Sequence, residues 1–149
     1  MSPETERLIR ESWETLHPVS DDLVSSFYAR LFEANPPLAA LFGATNMTEQ
    51  RRKFVVMLSE IVRVLDQPEL LVSEVAASGR RHLQYGVKDR DYDDVGAAFL
   101  FAIGTALGDR FTSDVRAAWR EAYDLLAAVM RRAADYHHRT PTVKGTVAT

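Results

Sequence analysis

Apolar residues recur with a helical period in every long segment of the chain, and this pattern limits the fold more than any other feature. The segment after Asp22 is the clearest case, because its apolar positions fall at i, i+1, i+4, i+5, i+8 and i+9: Leu23, Val24, Phe27, Tyr28, Leu31 and Phe32. That spacing puts the side chains on one face of an α-helix. No segment shows the strict alternation of a half-buried strand. The sequence therefore predicts an all-α protein.

The length and the periodicity together predict one domain with a short tail. A chain of 149 residues is long enough to bury a single core. Helical periodicity continues to about residue 136 and is then lost in a polar segment that contains proline and glycine. We therefore expect a folded domain over residues 1–136 and a flexible C-terminal tail over residues 137–149.

Composition excludes several classes of function. The chain has no cysteine, which rules out disulfides, thiol catalysis, iron–sulfur ligation and cysteine-based zinc sites. The net charge of −3 argues against a general nucleic-acid-binding protein. No apolar run reaches the roughly 18 residues that a membrane helix needs, and the N-terminus lacks a signal-peptide pattern. These features predict a cytoplasmic protein that binds neither nucleic acid nor membranes.

Two local signals predict where helices begin and end. Asn46 with Glu49 three residues later resembles a capping box, so a helix should begin there. Gly86 follows another periodic segment and is placed as a left-handed cap at the end of that helix.

The helix before Gly86 ends its inward face in an imidazole. Leu71, Val75, Ser78, Gly79 and His82 fall at i, i+4, i+7, i+8 and i+11, which is one helical stripe. Glycine inside a helix lowers helix stability by about 1 kcal/mol relative to alanine. Because glycine has no side chain, we expect something flat or bulky to approach the backbone at Gly79. On this stretch alone the simpler interpretation is a core histidine that hydrogen-bonds a neighbour.

Two further polar residues lie on apolar helix faces. Gln50 precedes Phe54 by one turn on an otherwise apolar stripe, and Tyr28 lies on the inward side of its helix. Together with His82 they make three buried polar groups in one small core, which is costly unless they converge on a common object. A haem is such an object, since its iron takes a neutral imidazole, its ring needs apolar walls and its gas ligand takes hydrogen bonds.

The chain resembles the single-domain bacterial globins of the flavohaemoglobin-related family over roughly residues 4–136. The matching fragments occur in family order: FYARLF at 27–32, PLAALF at 37–42, EQRRKF at 49–54, GRRHLQYGV at 79–87, YDDVG at 92–96 and AWREAY at 118–123. The resemblance implies a globin fold with helices packed three-over-three around a haem pocket, and haem b as the cofactor.

Carried over position by position, the resemblance implies a role for several residues. His82 is the proximal iron ligand and Tyr92 backs it. Tyr28 and Gln50 are the distal donors to a bound gas. The basic residues Lys53 and Arg81 could pair with the haem propionates. The remaining candidates for contact with the haem are Phe42, Phe54, Val87, Val95 and Tyr123.

Two departures from the family pattern limit the chemistry that we expect. Ala134 stands where flavin-bearing members carry a glutamate that bonds the proximal tyrosine and histidine, so strong electron donation by the imidazole is in doubt. No glycine-rich phosphate loop for a flavin or nicotinamide cofactor occurs in the sequence, so re-reduction of the iron would need a separate reductase.

The resemblance implies an oxygen-binding haemoglobin with tight binding, which can oxidise nitric oxide to nitrate when a reductase supplies electrons. Oxygen, nitric oxide and carbon monoxide are the expected ligands, and the protein is expected to be a monomer or a weak homodimer. One alternative is a haem-based gas sensor or electron-transfer protein. Coordination of the iron by Gln50 or Lys53 as a sixth ligand would favour electron transfer. Another is a haem-free helical interaction protein, against which His82 and Phe42 argue.

Overall fold

A computed structural model describes residues 1–139, apart from the side chains of Leu83, Gln84 and residues 136–139. Within this part the chain forms α-helices and two short 3-10 turns and contains no strand, so the all-α prediction is confirmed. The helices are α1 Pro3–Leu16, α2 Ser20–Ala34, α3 Pro36–Ala40, α4 Met47–Arg63, α5 Pro68–Gln84, α6 Asp91–Leu107 and α7 Ser113–Arg139.

The predicted helix signals are used in the structure, although one is used only in part. The Asn46 side chain accepts a hydrogen bond from the backbone N–H of Glu49 at 3.2 Å, so this cap is confirmed. The Glu49 carboxylate instead pairs with Arg52 at 2.9 Å, because a guanidinium one turn along is a stronger partner than the backbone. Gly86 has a φ of +92°, the left-handed conformation expected of it.

The main core lies between α1, α2, α4, α6 and α7. In this arrangement α2 packs against α4 and α6, while α7 packs against α1, α5 and α6. A buried Trp119 on α7 donates its indole N–H to Ser12 of α1 at 2.9 Å, which satisfies both polar groups inside the core. Helix α5 packs mainly against α7, and its Leu71 and Val75 form a second, smaller apolar cluster with residues of α4 and α7.

Gly79 lies at a close approach of α5 to α7. A Cβ at this position would lie 2.6 Å from both the Cα and the carbonyl oxygen of Met130 on α7. Something bulky does reach the backbone at Gly79, as its place inside a helix predicted. That object is the backbone of the facing helix, and the glycine therefore sets how close α5, with His82 one turn later, lies to α7.

A buried polar cluster joins the end of α2 to the start of α6. The side-chain amide of Asn35 donates to Asp91 at 2.9 Å and to Asp94 at 2.8 Å. The other oxygen of Asp91 accepts from the backbone N–H of Lys88 at 2.8 Å. These bonds fix the beginning of α6 and thereby the position of Tyr92, the residue after Asp91.

The C-terminal helix extends past the predicted domain boundary at residue 136, since α7 continues to Arg139. The remainder of the predicted tail, residues 140–149, lies outside the described residues, and its flexibility stays a prediction. Among the helices described, none combines the length and the hydropathy needed to cross a lipid bilayer.

Candidate functional site

The structure brings Tyr28 and Gln50 into direct contact. The Gln50 side chain, on α4, donates from Nε2 to the Tyr28 hydroxyl oxygen on α2 at 3.1 Å. An oxygen that accepts this bond keeps its own proton for donation to a third group. The amide and the phenol are therefore linked in series, with the donor proton of the pair left on the phenol.

Four phenylalanine rings surround the phenol of Tyr28 and keep it from water. Their centroids lie 4.9–5.8 Å from that of the Tyr28 ring: Phe27, Phe32, Phe42 and Phe54. Burial raises the pKa of Tyr28 above its usual 10.0, although the hydrogen bond from Gln50 lowers it in part. Tyr28 is thus a neutral hydrogen-bond donor throughout the physiological pH range.

His82, near the end of α5, is held in the tautomer that a metal ligand needs. Its Nδ1 lies 2.6 Å from the backbone carbonyl oxygen of Ser78 and 3.3 Å from the Ser78 hydroxyl. Because a carbonyl oxygen only accepts, Nδ1 carries the proton, and in the neutral ring the lone pair of Nε2 is available. A hydrogen bond on the far nitrogen orients metal-binding imidazoles in general, so the donor chemistry at this position fits a haem iron.

Tyr92 lies behind His82 and is held there by Tyr123. The Tyr92 side chain is buried, and its ring centroid lies 6.4 Å from that of His82 with the two planes tilted by 34°. Tyr123 donates its hydroxyl proton to the Tyr92 backbone carbonyl at 2.6 Å. Its ring packs over Gly96, where a Cβ would lie 2.6 Å from it. Tyr123 supports Tyr92 in this way, and contact between Tyr123 and haem stays a prediction.

The other sequence candidates divide into core and surface positions. Val87 and Val95 are half-buried and pack against the main core. Lys53 and Arg81 are exposed, as a residue that pairs with a solvent-facing propionate would be. Their proposed contacts with haem stay predictions.

Two residues of this site were not assigned from the sequence. Ser78 supplies the acceptor for His82, and its position four residues earlier on the same helix could have indicated this. Arg131 of α7 places its guanidinium carbon 5.2 Å from the centroid of the Tyr92 ring. No local signal pointed to Arg131, because it lies far along the chain from both Tyr92 and His82.

Comparison with known proteins identifies the family of this arrangement. Residues 25–130 match the family model described as Globin, which is more than half of the chain. A flavohemoprotein of Xylella fastidiosa is 32% identical over 132 residues, which covers 87% of this chain and 33% of that protein. A flavohemoprotein of Rhodopirellula baltica is 29% identical over 131 residues, covering 87% and 32%. The chain thus spans about a third of the length of the curated relatives it matches.

Solved structures agree with the predicted globin fold. A bacterial globin from Campylobacter jejuni superposes with a TM-score of 0.82 at 23% identity, covering 93% of this chain and all of that one. An engineered carbene transferase, built on a candidate nitric oxide dioxygenase from Rhodothermus marinus, has a TM-score of 0.81 at 28% identity, with coverages of 93% and 97%. The fold-class prediction is confirmed by these matches.

Proposed function

The chain belongs to the globin family, and from this premise we propose that it binds haem b and holds oxygen tightly on the iron. The observation that carries the proposal is the 2.6 Å contact of His82 Nδ1 with the Ser78 carbonyl oxygen, which assigns the proton of the neutral ring to Nδ1 and leaves Nε2 for a metal. The haem would supply an iron centre that binds a diatomic gas. The side chains around it would determine how long the gas stays.

Tyr28 is the residue that we expect to retain the gas. Its hydroxyl accepts from Gln50 and can donate its own proton to a ligand that carries partial negative charge. The phenylalanine rings around it exclude water, and a hydrogen bond gains strength when water does not compete for it. Slow release of oxygen follows from this arrangement.

We further propose that the protein oxidises nitric oxide when electrons are available. The balanced step is nitric oxide plus oxygen plus one electron giving nitrate, so each turnover needs one reducing equivalent from a separate reductase. Two kinds of relative support this proposal, the flavohemoproteins and the enzyme built on a candidate nitric oxide dioxygenase. A cytoplasmic location and a monomer or weak homodimer complete the proposal.

Absorption spectra of protein purified from haem-supplied cells test the proposal, in the ferric, ferrous and carbon-monoxide-bound forms. We expect a Soret band, a five-coordinate ferrous form and a large shift with carbon monoxide. His82→Ala should lose the haem or its normal coordination, whereas His17→Ala, at an exposed histidine after α1, should leave the spectra unchanged. Colourless wild-type protein would refute haem binding, and a six-coordinate ferrous form would favour electron transfer.

A second assay tests the reaction itself. Nitric oxide is added to the oxygen-equilibrated protein together with a flavin-dependent reductase and its nicotinamide donor. We expect catalytic consumption of nitric oxide with one nitrate formed per nitric oxide. A single stoichiometric turnover with reductase present would leave the protein as an oxygen-binding globin only.

A further inference from the structure

A cation lies behind the tyrosine that backs His82. The guanidinium of Arg131 stands over the face of the Tyr92 ring at 5.2 Å from its centroid, within the range of a cation–π interaction. Tyr92 in turn lies against the imidazole of His82, at 6.4 Å between ring centroids. Tyr92 on α6 therefore lies close both to Arg131 of α7 and to His82 of α5.

Two carboxylates hold this guanidinium in place, Asp89 just before α6 and Asp93 in its first turn. One terminal nitrogen of Arg131 donates to Asp93 at 3.1 Å and to the backbone carbonyl of Asp89 at 3.2 Å. Its Nε lies 3.1 Å from the Asp89 carboxylate, an ion pair whose angle is too bent for a hydrogen bond. Both carboxylates are largely exposed while Arg131 is two-thirds covered, so the cation is the less solvated member of the group.

No anionic acceptor reaches the imidazole from the side chains that the structure describes. The Nδ1 proton of His82 goes to a neutral backbone carbonyl, and Ala134, one turn after Arg131 on α7, offers no carboxylate. A neutral acceptor leaves an imidazole a weaker electron donor than a carboxylate would.

We infer that Arg131 is a positioning residue that holds Tyr92 against His82 and favours the ferrous state of the bound haem. The inference rests on the proposed haem-binding function. The Arg131 charge offsets those of Asp89 and Asp93, which are more exposed and better screened, and so disfavours the extra positive charge of ferric iron. The weakly donating imidazole acts in the same direction. The expected outcome is a haem that accepts electrons readily from its reductase and binds oxygen without strongly activating it.

The reduction potential of the purified haem protein tests this inference, because a merely structural role would not move it with a defined sign. Arg131→Met removes the cation and leaves the negative charges of both carboxylates without a counter-charge. Each of these changes should lower the reduction potential. Asp93→Asn removes one exposed negative charge and should raise the potential. Arg131→Lys keeps the charge without the planar fork and should give a smaller fall than Arg131→Met.

Arg120→Met is the matched control on the same helix. Arg120 also pairs with an aspartate, Asp124 at 3.2 Å, but it lies about 16 Å from Arg131 along the helix axis. Its substitution should leave the potential unchanged. The carbon monoxide stretching frequency gives a second readout, and it should move down with Arg131→Met and up with Asp93→Asn.

The possible outcomes separate this inference from the proposed function. If wild-type protein takes up no haem, the proposed function fails and the inference fails with it. If wild-type protein binds haem but the potential of Arg131→Met matches that of Arg120→Met, only the inference is overturned. If Arg131→Met does not fold, the Asp93→Asn result decides, since an unchanged or lowered potential contradicts the role assigned to this charge cluster.

Discussion

The hydrogen bond between Gln50 and Tyr28 predicts that the two residues act in series on a bound gas. Gln50 donates to the Tyr28 hydroxyl at 3.1 Å, so the phenol is the group with a proton left to give. If Gln50 acts only by polarising that phenol, its substitution should matter only while Tyr28 is present. If Gln50 reaches the ligand independently, the effects of the two substitutions should add.

The expected magnitudes follow from what each substitution removes. Tyr28→Phe removes a hydrogen bond to the ligand, worth about 1–2 kcal/mol, which corresponds to oxygen release roughly 5 to 30 times faster. Gln50→Leu removes only the polarisation of that bond, about 10–30% of its strength, so release should accelerate by less than about threefold. The double variant should then release oxygen at the rate of Tyr28→Phe alone.

Stopped-flow displacement of oxygen by carbon monoxide measures these rates. Phe32→Leu is the packing control, since its ring also contacts Tyr28, at 5.6 Å between centroids, but makes no hydrogen bond. Its effect should be small compared with that of Tyr28→Phe. An additive double variant would refute the serial arrangement, and an unchanged rate for Tyr28→Phe would remove the phenol from ligand retention altogether.

Three further predictions concern the free energy of unfolding of the protein. Gly79→Ala should lower it by about 1–3 kcal/mol because the new Cβ meets a backbone, whereas Gly104→Ala, whose Cβ meets a half-buried aromatic ring, should change it by less than about 1 kcal/mol in urea denaturation. Asn35→Ala should lower it by about 1–3 kcal/mol in the same assay, because the buried Asp91 loses its side-chain donor. High pH should also lower the free energy of unfolding, because burial raises the pKa of three tyrosines in the folded protein above 10.0. Above about pH 10 these tyrosines ionise first in the unfolded chain, so the unfolded state becomes more favourable. Below about pH 10 they are neutral in both states and their contribution to stability is complete. Melting temperature against pH should therefore fall less steeply in Tyr28→Phe. The three tyrosines are Tyr28, Tyr92 and Tyr123.

Features that depend on neighbouring residues were predictable from the sequence. The helical faces, the Asn46 cap and the left-handed Gly86 each follow from spacing or from the conformational range of one residue. The contact of Tyr28 with Gln50 needed more than this. The cost of burying polar groups and the family resemblance predicted only that both residues serve a bound gas, and their direct hydrogen bond at 3.1 Å was not predicted.

Gly79 and Arg131 show where inference from the sequence stops. A glycine in a helix indicates that another group packs against the helix backbone. Helical periodicity does not say whether that group is a ligand or another helix, and at Gly79 it is the α7 backbone. For Arg131 the sequence shows one more charge on a long helix, a feature that usually means a solvated face. Only the packing of α7 against α5 and α6 turns that charge toward Tyr92. The close approach that Gly79 permits and the cation that Arg131 contributes are therefore two consequences of the same helix lying behind His82.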